Sequence, residues 1–132
     1  MNRIALMVLR NIFRAPTMFA KLWHYAKYTD QYPEQEKWTH IHKMLRYAVD
    51  AGNVDLQVFG KENLPEQDGF VLYGNHQGMF DVVAIAGTWE RPLAAVLKKE
   101  LENVPLLKQI RLCTRSFCMD REDVRQSLEV IQ

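Results

Sequence analysis

Short apolar runs separated by helical or polar stretches constrain the fold of this chain more than any other sequence feature. Four such runs occur between residues 54 and 119: VDLQV, FVLY, LAAVL and RSFCM. The first alternates as a half-buried strand does, and the next two are apolar throughout, as strands buried on both sheet faces are. The pattern predicts an α/β domain with a mostly parallel sheet and flanking helices.

Helical periodicity fills most of the stretches between these runs. We predict helices over residues 34–51, 80–88 and 99–110, and from residue 121 onward. Gly52 can end the first of them, whereas Pro105 argues for a break inside the third. Asp120 is a candidate N-cap for the last helix.

Composition narrows the class of protein. The 132 residues are 48% hydrophobic and 25% charged, which suits one folded domain. A net charge of +1 argues against a nucleic-acid partner. Cys113 and Cys118 form no disulfide or metal-binding pattern, and His24, His40 and His42 form no recognisable ligand set. We therefore predict a reduced setting and no metal site.

The N-terminal segment has its own charge pattern. The first 29 residues contain five basic residues and no acidic one. On a helical wheel, four bases share one side: Arg3, Arg10, Arg14 and Lys21. The opposite side gathers aliphatic and aromatic residues: Ile4, Val8, Ile12, Phe19, Trp23 and Ala26. Pro16 should kink this segment or split it into two helices.

A basic stripe opposite an aromatic face is typical of a helix lying in a membrane interface. We therefore predict a membrane-associated helical segment over residues 1–30, on the cytoplasmic face, followed by the main domain over 31–132. The alternative is an ordinary amphipathic helix packed on its own domain. The chain has no apolar run of the length that spans a bilayer.

The stretch YGNHQGMFD, residues 73–81, joins a predicted strand to a predicted helix. His76 would lie at the carboxyl end of the strand, where ligands bind in open α/β sheets. Asp81 would lie near the helix N-terminus. A turn between them could bring the carboxylate to one imidazole nitrogen and leave the other nitrogen as a general base. Alternatively, Asp81 only caps the helix and His76 only belongs to the loop.

Four blocks of the sequence resemble glycerolipid acyltransferases, the family of 1-acylglycerol-3-phosphate acyltransferase. GNHQGMFD resembles the family's Asn-His-x-x-x-x-Asp block, and VFGKENLP (Val58 to Pro65) its Gly-x-Glu-Asn-Leu-Pro turn. LKKELENVPLL (Leu97 to Leu107) and RSFCMDR (Arg115 to Arg121) resemble two later blocks. Together the blocks cover roughly residues 54–132 in the family's order.

The chain departs from the family pattern in two ways. Arg115 stands where the pattern normally has Gly, and Cys118 where it has Phe. The family's Phe-Pro-Glu-Gly-Thr-Arg block does not occur, and the sequence stops at Gln132 within an apparently continuing helix. The resemblance therefore implies the N-terminal portion of a longer acyltransferase, with little activity of its own.

The resemblance implies phospholipid biosynthesis. A fatty acyl group would move from a coenzyme A or acyl carrier protein thioester to the hydroxyl of a lysophosphatidic acid-like acceptor at a membrane lipid surface. His76 would act as general base and Asp81 would orient it, with no enzyme nucleophile and no cofactor.

The resemblance also implies a set of substrate-binding residues. Arg121 and Lys98 are the candidate cations for phosphate or for other charged groups of the donor. Asn75 would fix the loop, while Gln77 and Gly78 would line the acceptor site through their backbone.

Two other functions stay open at this point. A thioester hydrolase could use His76 and Asp81 to activate water or a thiol, with Cys113 or Cys118 as the nucleophile. Alternatively, the chain is catalytically silent and only binds a membrane or a partner.

Overall fold

The computed structural model describes residues 3–75 and 78–120, with the backbone alone at Arg3, Ile4 and Met79. Its α-helices are α1 (Arg3–Asn11), α2 (Ala15–Lys27), α3 (Glu34–Ala51), α4 (Met79–Thr88) and α5 (Leu107–Thr114). Single 3-10 turns occur at Thr29–Gln31, Lys61–Asn63 and Lys99–Leu101. Two strands, β1 (Val96–Lys98) and β2 (Phe117–Met119), pair in parallel, with Val96 opposite Phe117.

The sheet is smaller than the sequence predicts. The parallel direction is confirmed for the two later runs, but the runs at 54–58 and 70–73 are extended and form no ladder within the described residues. Their side chains are largely exposed, with Phe59 at 86% and Tyr73 at 94%. The four-strand prediction is therefore wrong for this part of the chain, which is mostly helical. An apolar run becomes a strand only where a second strand accepts its backbone bonds.

The helix predictions hold better, because their signals are local. Helix α3 spans the predicted residues, and Gly52 ends it by donating its N–H to the Ala48 carbonyl. Helix α4 begins one residue before the predicted start. The predicted third helix is broken as Pro105 indicates: one 3-10 turn is followed by α5, which begins at Leu107. The helix predicted from residue 121 lies outside the described residues.

The N-terminal segment is split in two, as Pro16 predicts. The proline lies in the first turn of α2, where its missing N–H costs no hydrogen bond. None of the helices in the described residues combines the length and apolar character needed to cross a membrane.

The core forms where α2, α3, α4 and α5 meet. Its buried residues are Leu22, Tyr25, Trp38, Ile41, Ala86, Trp89 and Cys113. The Trp38 indole N–H donates to the Trp89 carbonyl at 3.1 Å, which joins α3 to the end of α4. This bond satisfies a polar group that burial would otherwise leave unpaired. The core therefore fixes α4, and with it the end of the YGNHQGMFD stretch.

Helix α1 packs on the end of α3 through its basic side. Arg10 donates to the Ala51 carbonyl at 3.2 Å and to the Asn53 side chain at 2.7 Å. The Arg14 guanidinium lies 5.0 Å from the centre of the Tyr47 ring. These contacts match the alternative of an amphipathic helix packed on its own domain, but they leave the apolar side of α1 facing outward.

Candidate functional site

The start of α4 is held by a reciprocal pair of hydrogen bonds. Gly78 donates its N–H to the Asp81 carboxylate at 2.9 Å, and Asp81 donates its N–H to the Gly78 carbonyl at 3.1 Å. The prediction that Asp81 lies in the first helical turn is confirmed. Capping occupies one lone pair of one oxygen, and an ionised carboxylate has about four such sites. Capping and the orientation of a base are therefore compatible roles for Asp81.

His76 and Gln77 lie outside the described residues, so the His76–Asp81 pairing stays a prediction. Asn75 and Gly78, on either side of them, are both exposed. The run before Asn75 is extended but unpaired within the described residues, so its predicted place at a sheet edge is not observed.

The predicted turn ahead of this region is confirmed. Gly60 has a φ of +76°, a value that residues with a Cβ rarely adopt. Asn63 donates its N–H to the Gly60 carbonyl at 3.0 Å and closes the turn. The glycine of the VFGKENLP block is therefore required by backbone geometry.

Arg91 holds the polar connection between the two extended segments. Its guanidinium donates to the Glu66 and Pro65 carbonyls and to the Asp68 carboxylate, at 2.8, 3.0 and 2.8 Å. It also lies 4.8 Å from the centre of the Trp89 ring. Sequence reasoning missed Arg91, because no spacing rule connects it with residues more than 20 positions earlier.

A groove of about 250 Å³ runs beside the YGNHQGMFD stretch. Side chains from three segments line it: the first extended run, the turn after it, and α4 with the residues that follow. Those that shape it most are Val58, Leu64, Leu72, Ile85 and Trp89, with Gly74 at the motif end. No sequence pattern predicts this groove, because its walls come from segments that are distant along the chain.

The two predicted phosphate-binding cations differ in what is known of them. Lys98 ends β1, and its ammonium lies 2.9 Å from the Glu100 carboxylate. The hydrogen bond from Lys98 lowers the pKa of Glu100. Lys98 is therefore already engaged by an acid. Arg121 lies outside the described residues, two positions after Met119, which is opposite Lys98 in the strand register.

The departure at Arg115 has a backbone consequence. Arg115 ends α5 with a φ of +53°, in the left-handed region that favours glycine. Its guanidinium lies 3.5 Å from Glu34 and 3.7 Å from Asp30. The family's usual Gly suits this conformation without strain, whereas Arg115 adopts it at a conformational cost.

The two cysteines differ in burial. Cys113 is 2% exposed, and burial raises the pKa of its thiol to about 11. A protonated, inaccessible thiol is a poor nucleophile, which weighs against Cys113 in a hydrolase. Cys118 lies half-buried in β2, while its neighbour Phe117 is exposed. Among residues 3–75 and 78–120, no three His, Cys, Asp or Glu side chains are grouped to hold a metal ion.

Comparisons with curated proteins and with solved structures gave no match. A sequence model described as Acyltransferase matches residues 55–132, more than half of the chain. The matched region runs from the first extended segment through both motif blocks and includes His76 and Asp81. Over this region the chain belongs to the acyltransferase family.

Proposed function

We propose that the protein transfers a fatty acyl group from a coenzyme A or acyl carrier protein thioester to the hydroxyl of 1-acylglycerol-3-phosphate or a related glycerol lipid. Membership of the acyltransferase family makes it a transferase that uses an acyl donor and an acyl acceptor. The observation that carries the finer proposal is Asp81, fixed in the first turn of α4 five residues after His76.

The chemistry needs one base and no enzyme nucleophile. As the acceptor oxygen attacks the thioester carbonyl, His76 takes the hydroxyl proton and a carbon–oxygen bond forms. When the carbon–sulfur bond breaks, the imidazolium returns that proton to the leaving sulfur. Asp81 stabilises the imidazolium between the two steps, as a carboxylate does in other acyl-transfer sites.

Binding of the phosphate falls to the cations of the later blocks. Arg121 would bind it bidentately, and Lys98 would act as a point charge. Because Lys98 already contacts Glu100, this role requires the phosphate to compete with that carboxylate. Asn75, Gln77 and Gly78 are left to shape the loop and the acceptor site.

The test uses variants of the protein expressed from its native gene. His76→Ala should lower acyl transfer by roughly two to four orders of magnitude, the range for loss of a general base. Asp81→Asn should also be severe, although the Asn oxygen can still accept the Gly78 N–H and keep the cap. The measurement is phosphatidic acid formation, with circular dichroism as the control for folding. Near-normal turnover by His76→Ala would remove the proposed base.

The protein is also proposed to work at a membrane surface. Val8, Leu9 and Phe13 project from the outer side of the N-terminal helices and are 63%, 60% and 93% exposed. Arg10 and Arg14 contact α3 instead. Insertion of the apolar side should therefore contribute more than attraction to anionic lipid.

A matched pair of variants tests the membrane surface. Phe13→Asp should lower the fraction of protein that sediments with anionic vesicles by at least about tenfold, because a charge replaces a buried ring in the interface. Phe59→Asp is the control, since Phe59 is 86% exposed but lies outside the N-terminal helices. Equal losses from both variants would contradict docking through α1 and α2.

A further inference from the structure

We infer that the groove beside the YGNHQGMFD stretch binds the fatty acyl chain of the thioester donor. This inference rests on the proposed function, because it assigns a place to one part of that reaction's substrate. It concerns the groove lined by Val58, Leu64, Leu72, Ile85 and Trp89, with Gly74 at one end.

The chemistry of the walls favours an alkyl chain. The five residues that shape them are apolar. Trp89, 8% exposed, belongs to the core, whereas Leu72 and Ile85 are 39% and 42% exposed. Apolar side chains held open to water beside a candidate site are typical of a binding surface. An alkyl chain placed on them would remove that surface from water.

The polar groups of the groove make no demand on a ligand. The Thr88 hydroxyl lies 3.0 Å from the carbonyls of both Ala84 and Ile85 in its own helix, which satisfies it as a donor. The Lys61 ammonium lies 3.8 Å from the Glu90 carboxylate, so its aliphatic stem can cover apolar surface while its head stays in water. A polar ligand would find few partners here, whereas an acyl chain needs none.

The position of the groove matches the reaction. Gly74 lines it and precedes the proposed base, His76, by two residues. A Cβ added at Gly74 would lie 3.8 Å from the Ile85 Cδ1 atom, so the glycine leaves room between this backbone and α4. A thioester carbonyl at the Gly74 end would lie next to the motif, with its chain running along the outer side of α4.

The size of the groove predicts a limit to chain length. At about 250 Å³ it is slightly smaller than common ligand pockets of about 300–1,000 Å³. Part of a long chain would therefore remain outside it. Affinity should rise with each methylene group until the groove is full and then level off.

The test measures binding without turnover. Thioether analogues of acyl-coenzyme A, which cannot transfer the acyl group, are titrated into the purified chain below their micelle concentrations. Short, medium and long chains are compared with free coenzyme A by calorimetry. Each added methylene should tighten binding by about two- to fourfold until the plateau, as burial of apolar surface predicts.

Two variants of α4 locate the binding site. Ile85→Trp fills the groove and should weaken long-chain binding by at least about tenfold, equivalent to losing a few buried methylenes, while leaving the shortest analogue nearly unchanged. Val82→Trp is the control: Val82 is on the same helix and 44% exposed, but does not line the groove. Leu72→Trp repeats the test from the other wall if Ile85→Trp fails to fold.

The outcomes separate the inference from the proposed function. Binding that is independent of chain length, or equally weakened by Val82→Trp, overturns the groove as the acyl site. If His76-dependent transfer is observed as well, the proposed function stands without this groove. Chain-length-dependent binding that Ile85→Trp abolishes supports the groove even if no transfer is detected, in which case only the reaction is wrong.

Discussion

The packed helices and the extended segments use similar apolar residues with opposite results. In α2, α3 and α5, Leu22, Ile41 and Cys113 are at most 2% exposed. In residues 54–60 and 70–75, Phe59 and Val71 are 86% and 71% exposed. A helix satisfies its backbone internally and needs only a face to pack against. A strand needs a neighbouring strand as well, so its burial depends on distant parts of the chain.

The helical region even accommodates a buried charge. Lys37 is 1% exposed, and its ammonium donates to the Thr29 carbonyl at 2.7 Å and to the Thr29 hydroxyl at 2.9 Å. That hydroxyl in turn donates to the Leu112 carbonyl at 3.1 Å. This network joins α3 and α5 through the turn after α2. The extended segments are instead held at their connection, through Arg91.

The largest expected effect comes from removing matched apolar groups from the two regions. Leu22→Ala should lower the free energy of unfolding by about 2–5 kcal/mol, because it leaves a cavity in the core. Val71→Ala should change it by less than about 0.5 kcal/mol, because Val71 is already exposed. Urea denaturation followed by circular dichroism measures both.

A comparable loss of stability in Val71→Ala would break the comparison. It would mean that the run at 70–73 is buried in solution, as the sequence pattern predicts for a strand. Hydrogen exchange provides an independent control, since the amides of this run should exchange far faster than those of α3.

The same contrast explains what could be predicted from the sequence. The bounds of α3, the break at Pro105 and the turn at Gly60 follow from signals within a few residues, and all are observed. The first-turn position of Asp81 was predictable for the same reason. Strand pairing at 54–58, the contacts of Arg91 and the shape of the groove depend on residues far apart in sequence, which a single sequence does not bring together.

A pH-dependent effect of intermediate size should come from the packed region alone. Burial, and the hydrogen bond that its hydroxyl donates to Glu36 at 2.7 Å, raise the pKa of Tyr25 to about 12. An unfolded tyrosine has a pKa of about 10. The stabilisation is therefore fully present below about pH 10 and is lost between about pH 10 and 12, where only the unfolded state releases the proton.

Tyr25→Phe is the control for this pH dependence, since it keeps the ring but cannot ionise. Its free energy of unfolding should approach that of the wild type as the pH rises above about 10, with the difference shrinking by about 1–3 kcal/mol. Denaturant titrations at several pH values measure it. A difference between the two proteins that is constant up to pH 12 would show that Tyr25 ionises as easily folded as unfolded.

The smallest expected effect lies where the packed region meets β2. Arg115 ends α5 in the left-handed conformation, which costs a residue with a Cβ about 1–2 kcal/mol. Its ion pairs with Asp30 and Glu34 join largely exposed side chains and contribute about 0–1 kcal/mol. Arg115→Gly should therefore raise the free energy of unfolding by about 0.5–1 kcal/mol, while Arg115→Ala, which keeps the strain and loses the ion pairs, should lower it. Thermal denaturation at low and high salt separates the two contributions, because salt screens only the ion pairs. If Arg115→Gly were less stable than Arg115→Ala, the ion pairs and not the backbone would set the conformation at the end of α5.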